Sequence, residues 1–244
     1  MNILVLGASS ELGRAFAREF APHNTLLLTG RDGFRLAMIT REAEQAGARE
    51  VHFIEHDLAN GHHAVLEALQ GQRIDLLINL ASATSNIRDS AIQPEQIEAY
   101  TKTDLLTPVE FVMALLQAQH IAYTPDAPLY VIFISSVLAM IDSPDRGIYA
   151  AYKRLQTAFL QQIAALHRER VRFSVVTIGM RLPRHECTRH QRNIAQKVAR
   201  LYSTHNTIFY GFQGRVLLWL NRLCPWLISG VIFLSRHSAK NRIV

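Results

Sequence analysis

Cysteine is nearly absent from this 244-residue chain, which has only Cys187 and Cys224. Two cysteines so far apart supply neither a disulfide framework nor a metal-ligand spacing, so a reducing compartment is expected. His62 and His63 lack partners at ligand spacing and are expected on the surface, with no metal. The amino terminus has no basic stretch, apolar stretch and cleavage site in succession. It enters a strand directly, so no secretory signal is expected and the cytoplasm is the expected location. Acidic residues are almost missing from the last third. Residues 171–244 hold 12 Lys/Arg against one acidic residue, Glu186, a net of +11, whereas residues 1–170 hold 14 against 19, a net of −5. A basic segment of this kind favours an anionic membrane surface or nucleic acid. The aromatic residues near these charges sit in apolar runs rather than interleaved with them, which argues against nucleic acid.

What is present is a regular alternation of short apolar runs with helical patterns. Asn2-Ile3-Leu4-Val5-Leu6 reads as a buried parallel strand. The turn Gly7-Ala8-Ser9-Ser10-Glu11-Leu12-Gly13 and a helical pattern through Phe20 follow. Strand, glycine turn and helix in succession is the context that a phosphate-binding turn requires. A second strand, Thr25–Thr29, ends at Gly30-Arg31. Such folds meet an adenosine ribose at this point, and a guanidinium there suits a 2′-phosphate where an acidic residue would take a 2′-hydroxyl. Further strands are expected at 51–56, 74–78, 129–134 and 173–178. They end at Asp57, at Asn79-Leu80-Ala81-Ser82, at Ser135-Ser136 and at Gly179. Asp57 could meet an adenine amino group or cap the helix that follows it. Helical patterns cover 34–46, 94–119 and about 149–168. The alternation predicts an α/β fold, a Rossmann-type doubly wound parallel sheet with helices on both faces, whose ligand lies at the carboxyl ends of the strands.

Tyr149 and Lys153 are four residues apart and lie on one face of the last of these helices. An ammonium beside a phenol favours the phenolate, which makes a proton donor or acceptor usable near neutral pH. Ser136, at a strand end, can deliver a hydroxyl to the same pocket.

With these residues in place, residues 1–183 resemble a short-chain dehydrogenase/reductase. The family's glycine motif falls on Gly7–Gly13, its adenine-site Asp on Asp57, its Asn-Asn-Ala-Gly stretch on Asn79–Ser82, and its catalytic Ser, Tyr and Lys on Ser136, Tyr149 and Lys153. The resemblance implies a cofactor site of Gly7, Ser9, Ser10, Leu12, Gly13, Arg31, Asp57, Leu58, Asn79, Ala81, Tyr149, Lys153 and Gly179. It implies catalytic roles for Ser136, Tyr149 and Lys153, with Asp104 at the position of the family's catalytic Asn. Glu11 replaces the middle glycine of the motif. An ionised Asp104 cannot donate a hydrogen bond as Asn does, a departure from the usual water relay to the lysine. Pro183 stands where a phosphate-contacting Thr is often found.

Residues 184–214 are expected to be a variable segment on the substrate side, and residues 215–244 a basic, apolar tail. In the tail, Arg215, Arg222, Ser229 and Arg236 recur every seven residues opposite Leu217, Leu220, Cys224, Leu227, Ile228 and Val231. Pro225 divides the pattern, and both tryptophans lie in it. Arg222 near the middle would cost roughly 2.5–3.5 kcal/mol in a span. A helix lying in the interface fits better, although packing on the sheet or on a second subunit is also open. The expected function is NADP(H)-dependent reduction of a carbonyl on a hydrophobic or lipid-linked substrate, with NADP(H) preferred over NAD(H). It would act at the inner face of a membrane, with no nucleic acid partner, and in a homo-oligomer if the family's habit holds. The alternative is a non-catalytic nucleotide-binding or regulatory protein on the same fold.

Overall fold

A computed structural model describes residues 1–84, 87–118, 121–141, 145–179 and 187–211. The expected contacts of Pro183 and of the tail, 215–244, lie outside these residues. The strands are β1 (Asn2–Leu6), β2 (Thr25–Gly30), β3 (Glu50–Glu55), β4 (Leu76–Asn79), β5 (Leu129–Ser136), β6 (Val171–Ile178) and β7 (Thr207–Tyr210). All seven join one parallel sheet in the order β3-β2-β1-β4-β5-β6-β7. The order reverses between β1 and β4, and that crevice is where a doubly wound sheet holds its ligand.

The helices are α1 (Glu11–Phe20), α2 (Gly33–Gln45), α3 (His63–Ala68), α4 (Ile97–Thr101), α5 (Thr107–Gln117), α6 (Gly147–Leu166) and α7 (Cys187–Leu201). Successive strand residues point to opposite faces, and each face builds its own core. Ile3, Val5, Leu26, Leu28, Ile78 and Val176 meet α1, α2 and α7 through Phe16, Phe20, Leu36, Ile39, Ile194 and Val198. Leu4, Leu6, Leu77, Val131, Phe133 and Phe173 meet α5 and α6 through Phe111, Val112, Leu115, Leu160 and Ile163. Burial on both faces explains why β1 and β4 are continuous apolar runs rather than alternating ones.

Two features differ from the sequence reading. The helix expected over 94–119 is interrupted by a π-helical turn, Lys102–Leu106. Pro108 has no N–H for the carbonyl of Asp104 four residues back, so the regular ladder cannot pass this point. The expected substrate-side segment beyond residue 183 supplies α7 and β7, and β7 extends the sheet beside β6. Its strand signal is weak because Thr207–Tyr210 has only four residues. Among the described residues, no helix is long and apolar enough to cross a membrane.

Candidate active site

The first turn is packed tightly at the sheet's switch point. Gly7 adopts φ +80°, and a Cβ there would stand 2.8 Å from the backbone nitrogen of Ala81 after β4. The N–H groups of Gly7 and Ala8 both donate to the carbonyl of Thr29, at 2.9 and 2.8 Å, which ties the turn to β2. Ser10 caps α1: its hydroxyl accepts from Gly13 N–H and donates to the Gly7 carbonyl, each at 2.9 Å. That satisfies one of the helix's orphan donors. A Cβ on Gly13 would run into the backbone of Ala8, so the helix can start this close to the strand only with glycine. Leu12 is partly buried and packs against the apolar core on this side of the sheet. Ser9 leans on Gly30, where a Cβ would come within 2.5 Å of its Oγ.

Around this turn lie polar groups suited to a sugar-phosphate ligand. Arg31 faces Asp57 at 4.0 Å, and both are substantially exposed. The capping expected of Asp57 is present: its carboxylate caps the short 3₁₀ turn Leu58–Asn60 by accepting from Ala59 N–H at 3.0 Å. Leu58 is buried in the core, and its carbonyl accepts from the Thr107 hydroxyl at 2.8 Å, so its side chain serves packing. Asn79 is buried; its Oδ1 accepts from Ala81 N–H at 3.1 Å. Among the described residues, Asn79 Nδ2, Ser82 Oγ and Thr29 Oγ1 are buried without a hydrogen-bond partner. Such groups are costly unless something satisfies them. A glycine cradle beside orphaned donors and acceptors at the carboxyl edge fits a dinucleotide. Gly179 lies at the same edge, its N–H donating to the Tyr210 carbonyl at 3.3 Å.

The reactive end is assembled by β5 and α6. Ser136 closes β5 and is half-buried, its Oγ accepting from Leu138 N–H at 3.2 Å. Tyr149 and Lys153 lie on the inner side of α6, Tyr149 half-buried and Lys153 only 3% exposed. The Lys153 ammonium lies 4.8 Å from the Phe133 ring centre and 5.9 Å from that of Tyr149. Burial pushes its pKa down to about 8, and the charge of Asp104 opposes this. The lysine is therefore still cationic at neutral pH.

Asp104 is completely buried in the π turn. Its carboxylate accepts from Ala83 N–H at 2.7 Å, from Thr84 N–H at 3.0 Å and from the Thr84 hydroxyl. Sequence reasoning placed Asp104 among the catalytic residues. Here its hydrogen bonds hold the loop after β4, and it bears on Lys153 through its charge.

Several supporting residues gave no sequence signal. Asp89 accepts from Gly147 N–H at 2.6 Å and Ile148 N–H at 3.2 Å, capping α6 from 58 residues away. Arg154 donates to the carbonyls of Ala139 and Ile141, at 2.6 and 2.7 Å, fastening the segment after Ser136 to α6. Glu11 points away from the turn and pairs with Arg35 of α2. His62, expected on the surface, is mostly covered: it approaches Glu110 at 3.2 Å and stacks on His63. No cluster of metal-binding side chains occurs among the described residues.

Comparison with known proteins agrees with this geometry. Residues 1–193 match the family described as short chain dehydrogenase. Dehydrogenase/reductase SDR family member 7B of Danio rerio is 30% identical over 177 residues, covering 67% of this chain and 55% of that protein. The chain thus spans little more than half the length of that relative. A 3-oxoacyl-[acyl-carrier protein] reductase from Brucella melitensis, solved in complex with NAD, aligns with a TM-score of 0.69 at 24% identity, covering 85% of this chain and 94% of that one. A metagenomic short-chain oxidoreductase in complex with NADP aligns with a TM-score of 0.65 at 25% identity, covering 86% and 94%. With the glycine turn, the serine at the end of β5 and the tyrosine–lysine pair of α6 gathered at one edge of this sheet, the chain belongs to the short-chain dehydrogenase/reductase family.

Proposed function

We propose that the protein is an NADP(H)-dependent oxidoreductase that reduces a carbonyl to a hydroxyl on a hydrophobic or lipid-linked substrate. The observation that carries this reading is the buried Lys153 ammonium beside the Tyr149 ring, on a helix that faces the strand end bearing Ser136. The residues that would hold the dinucleotide are Gly7, Ser9, Ser10, Leu12 and Gly13 of the turn, and Arg31, Asp57 and Leu58 on the adenosine side. Asn79, Ala81, Tyr149, Lys153 and Gly179 would serve the nicotinamide side. The bound nucleotide supplies the hydride chemistry.

The chain's own residues handle the proton. Ser136 donates its hydroxyl hydrogen to the substrate oxygen and stabilises the charge that develops there. Tyr149 gives its phenolic proton to the same oxygen. Lys153, charged below about pH 8, stabilises the phenolate left behind. Asp89 and Arg154 fix α6 and the Ser136 segment so that these groups stay in register. Arg31 favours NADP(H) because a guanidinium complements a 2′-phosphate. The basic, amphipathic pattern of residues 215–236 supports action at an anionic membrane surface.

Tyr149→Phe tests the reading. Turnover of a ketone substrate should fall by about 10²–10⁴-fold, while NADPH still titrates by nicotinamide fluorescence. Turnover comparable to wild type would refute the assignment. Asp104 favours a second reading, a non-catalytic nucleotide-binding or regulatory protein, because an ionised carboxylate cannot donate where the family uses an amide. Nucleotide binding without reduction of any ketone in a broad panel would select it.

A further inference from the structure

Helix α7 has two unlike sides. Ile194, Ala195 and Val198 are buried in the core it shares with α1. Arg189, Arg192 and Arg200 are exposed. At about 100° per residue they fall within roughly a quarter of the helix circumference, opposite the buried side. Residues 187–211 contain no Asp or Glu, and among the described residues none of the three arginines forms an ion pair. The groove between α7 and α1 is lined by Arg192 together with Arg14, Arg18, Glu11 and Glu19. Glu11 is paired with Arg35, and Arg14 and Arg18 face Glu42. Of the carboxylates in that groove Glu19 alone is left to offset the stripe, so two of its three charges stay uncompensated.

Strand β7 brings the chain to the first turn of this helix. The Tyr210 ring meets that of His190, the neighbour of Arg189, edge-on at 4.9 Å. The Tyr210 carbonyl accepts from Gly179 N–H at the carboxyl edge of the sheet. The basic, apolar sequence 215–244 follows a few residues later. Arg189 and Arg200 are about 16 Å apart along the helix axis, too far to converge on one small anion. A row of this length suits a surface that carries many anionic groups. Asn193 and Gln196, which lie between the arginines, offer no ring on which a nucleic acid base could stack.

We infer that the Arg189–Arg192–Arg200 stripe of α7 is a folded contact for an anionic phospholipid surface. This inference rests on the membrane reading above and deepens it, since it assigns part of the contact to the folded domain. The stripe adds electrostatic attraction to the apolar burial that the tail supplies, and it is too weak to hold the surface without the tail. Its first turn lies at the edge that bears the active site, which suits a lipid-linked carbonyl.

The experiment is co-sedimentation of the full chain with vesicles of equimolar phosphatidylglycerol and phosphatidylcholine, and with vesicles of phosphatidylcholine alone. The proteins are wild type, a triple variant Arg189→Gln, Arg192→Gln, Arg200→Gln, and a control triple variant Arg41→Gln, Arg49→Gln, Arg168→Gln, which loses the same charge from other exposed positions. Each arginine of the stripe should contribute about fivefold to partition onto the anionic vesicles, so the first triple variant should bind roughly a hundredfold more weakly. The control should stay within about threefold of wild type, the difference between the two should shrink as salt rises, and NADPH titration should be the same in all three. If the stripe variant sediments as wild type does, or no more weakly than the control, the inference is overturned; loss of binding on deleting residues 213–244 would then still sustain the membrane reading through the tail. If the stripe variant keeps its vesicle binding and loses wild-type binding to duplex DNA or RNA, the partner is a nucleic acid and the inference is likewise overturned. If wild type does not sediment with the anionic vesicles, the reading and the inference fail together.

Discussion

Replacing Lys153 with Met should remove one source of alkaline-pH dependence from the protein's stability. Burial lowers the lysine's pKa from its ordinary 10.5 to about 8. At about 1.4 kcal/mol per unit, the folded state bears a penalty of roughly 3 kcal/mol wherever the lysine is charged in both states. That is the case below pH 8. Between pH 8 and 10.5 the folded lysine is neutral and the unfolded one still protonated, so the unfolded chain binds more protons and stability rises with pH. Above 10.5 both are neutral and the penalty has gone. Met fills a similar volume and does not titrate. The stability of wild type minus that of Lys153→Met should therefore climb by about 3 kcal/mol between pH 7 and 10.5. Urea unfolding of both proteins at pH 7, 8, 9, 10 and 10.5 measures it. Other alkaline titrations, including those of Tyr123 and Tyr202, whose pKa values burial raises, occur in both proteins and cancel in the difference. The attraction between Lys153 and Asp104 fades as the lysine loses its proton, and it is already included in the net shift to about 8. A flat or falling difference would show that desolvation does not govern Lys153, and the account of a buried, desolvated cation would be abandoned.

Asp89→Ala should cost about 1–2 kcal/mol of stability, the range of a lost helix cap, and should lower turnover while nucleotide titration changes little; an unchanged melting curve would contradict its capping of α6. Gly13→Ala should destabilise by about 1–3 kcal/mol, as overpacking does, and should weaken nucleotide binding, because the added methyl meets the backbone of Ala8. Wild-type binding and stability in this variant would show that the α1 entry is looser than described. Deleting residues 213–244 should abolish co-sedimentation with anionic liposomes; equal binding by the truncated chain would remove the membrane proposal.

Most of the fold was legible because its signals are local. Strands β1, β2, β4 and β5 hold continuous apolar runs bounded by turn residues, because both of their faces are buried, and β3 and β6 keep apolar residues among polar ones. The short β7, four residues of mixed polarity, is held by pairing with β6, a contact 32 residues away in the register Val175↔Thr207. The π turn was not legible either. The periodicity across 94–119 is helical throughout, and Pro108 marks a break in the ladder without specifying the π form that the turn before it takes. Within the site, the glycine turn and the Tyr149–Lys153 spacing could be read directly. The direction of Glu11 could not, because its partner Arg35 belongs to another helix.

The sequence by itself determined the alternation of strands and helices, the glycine spacing and the i, i+4 placement of phenol and ammonium, because hydrophobic period and backbone sterics act over a few residues. Only the tertiary structure decided that Lys153 is buried against Phe133, that Asp104 fastens the loop after β4, and that Asp89 caps α6. Desolvation and long-range hydrogen bonds depend on which surfaces the folded sheet brings together, and no local pattern encodes them.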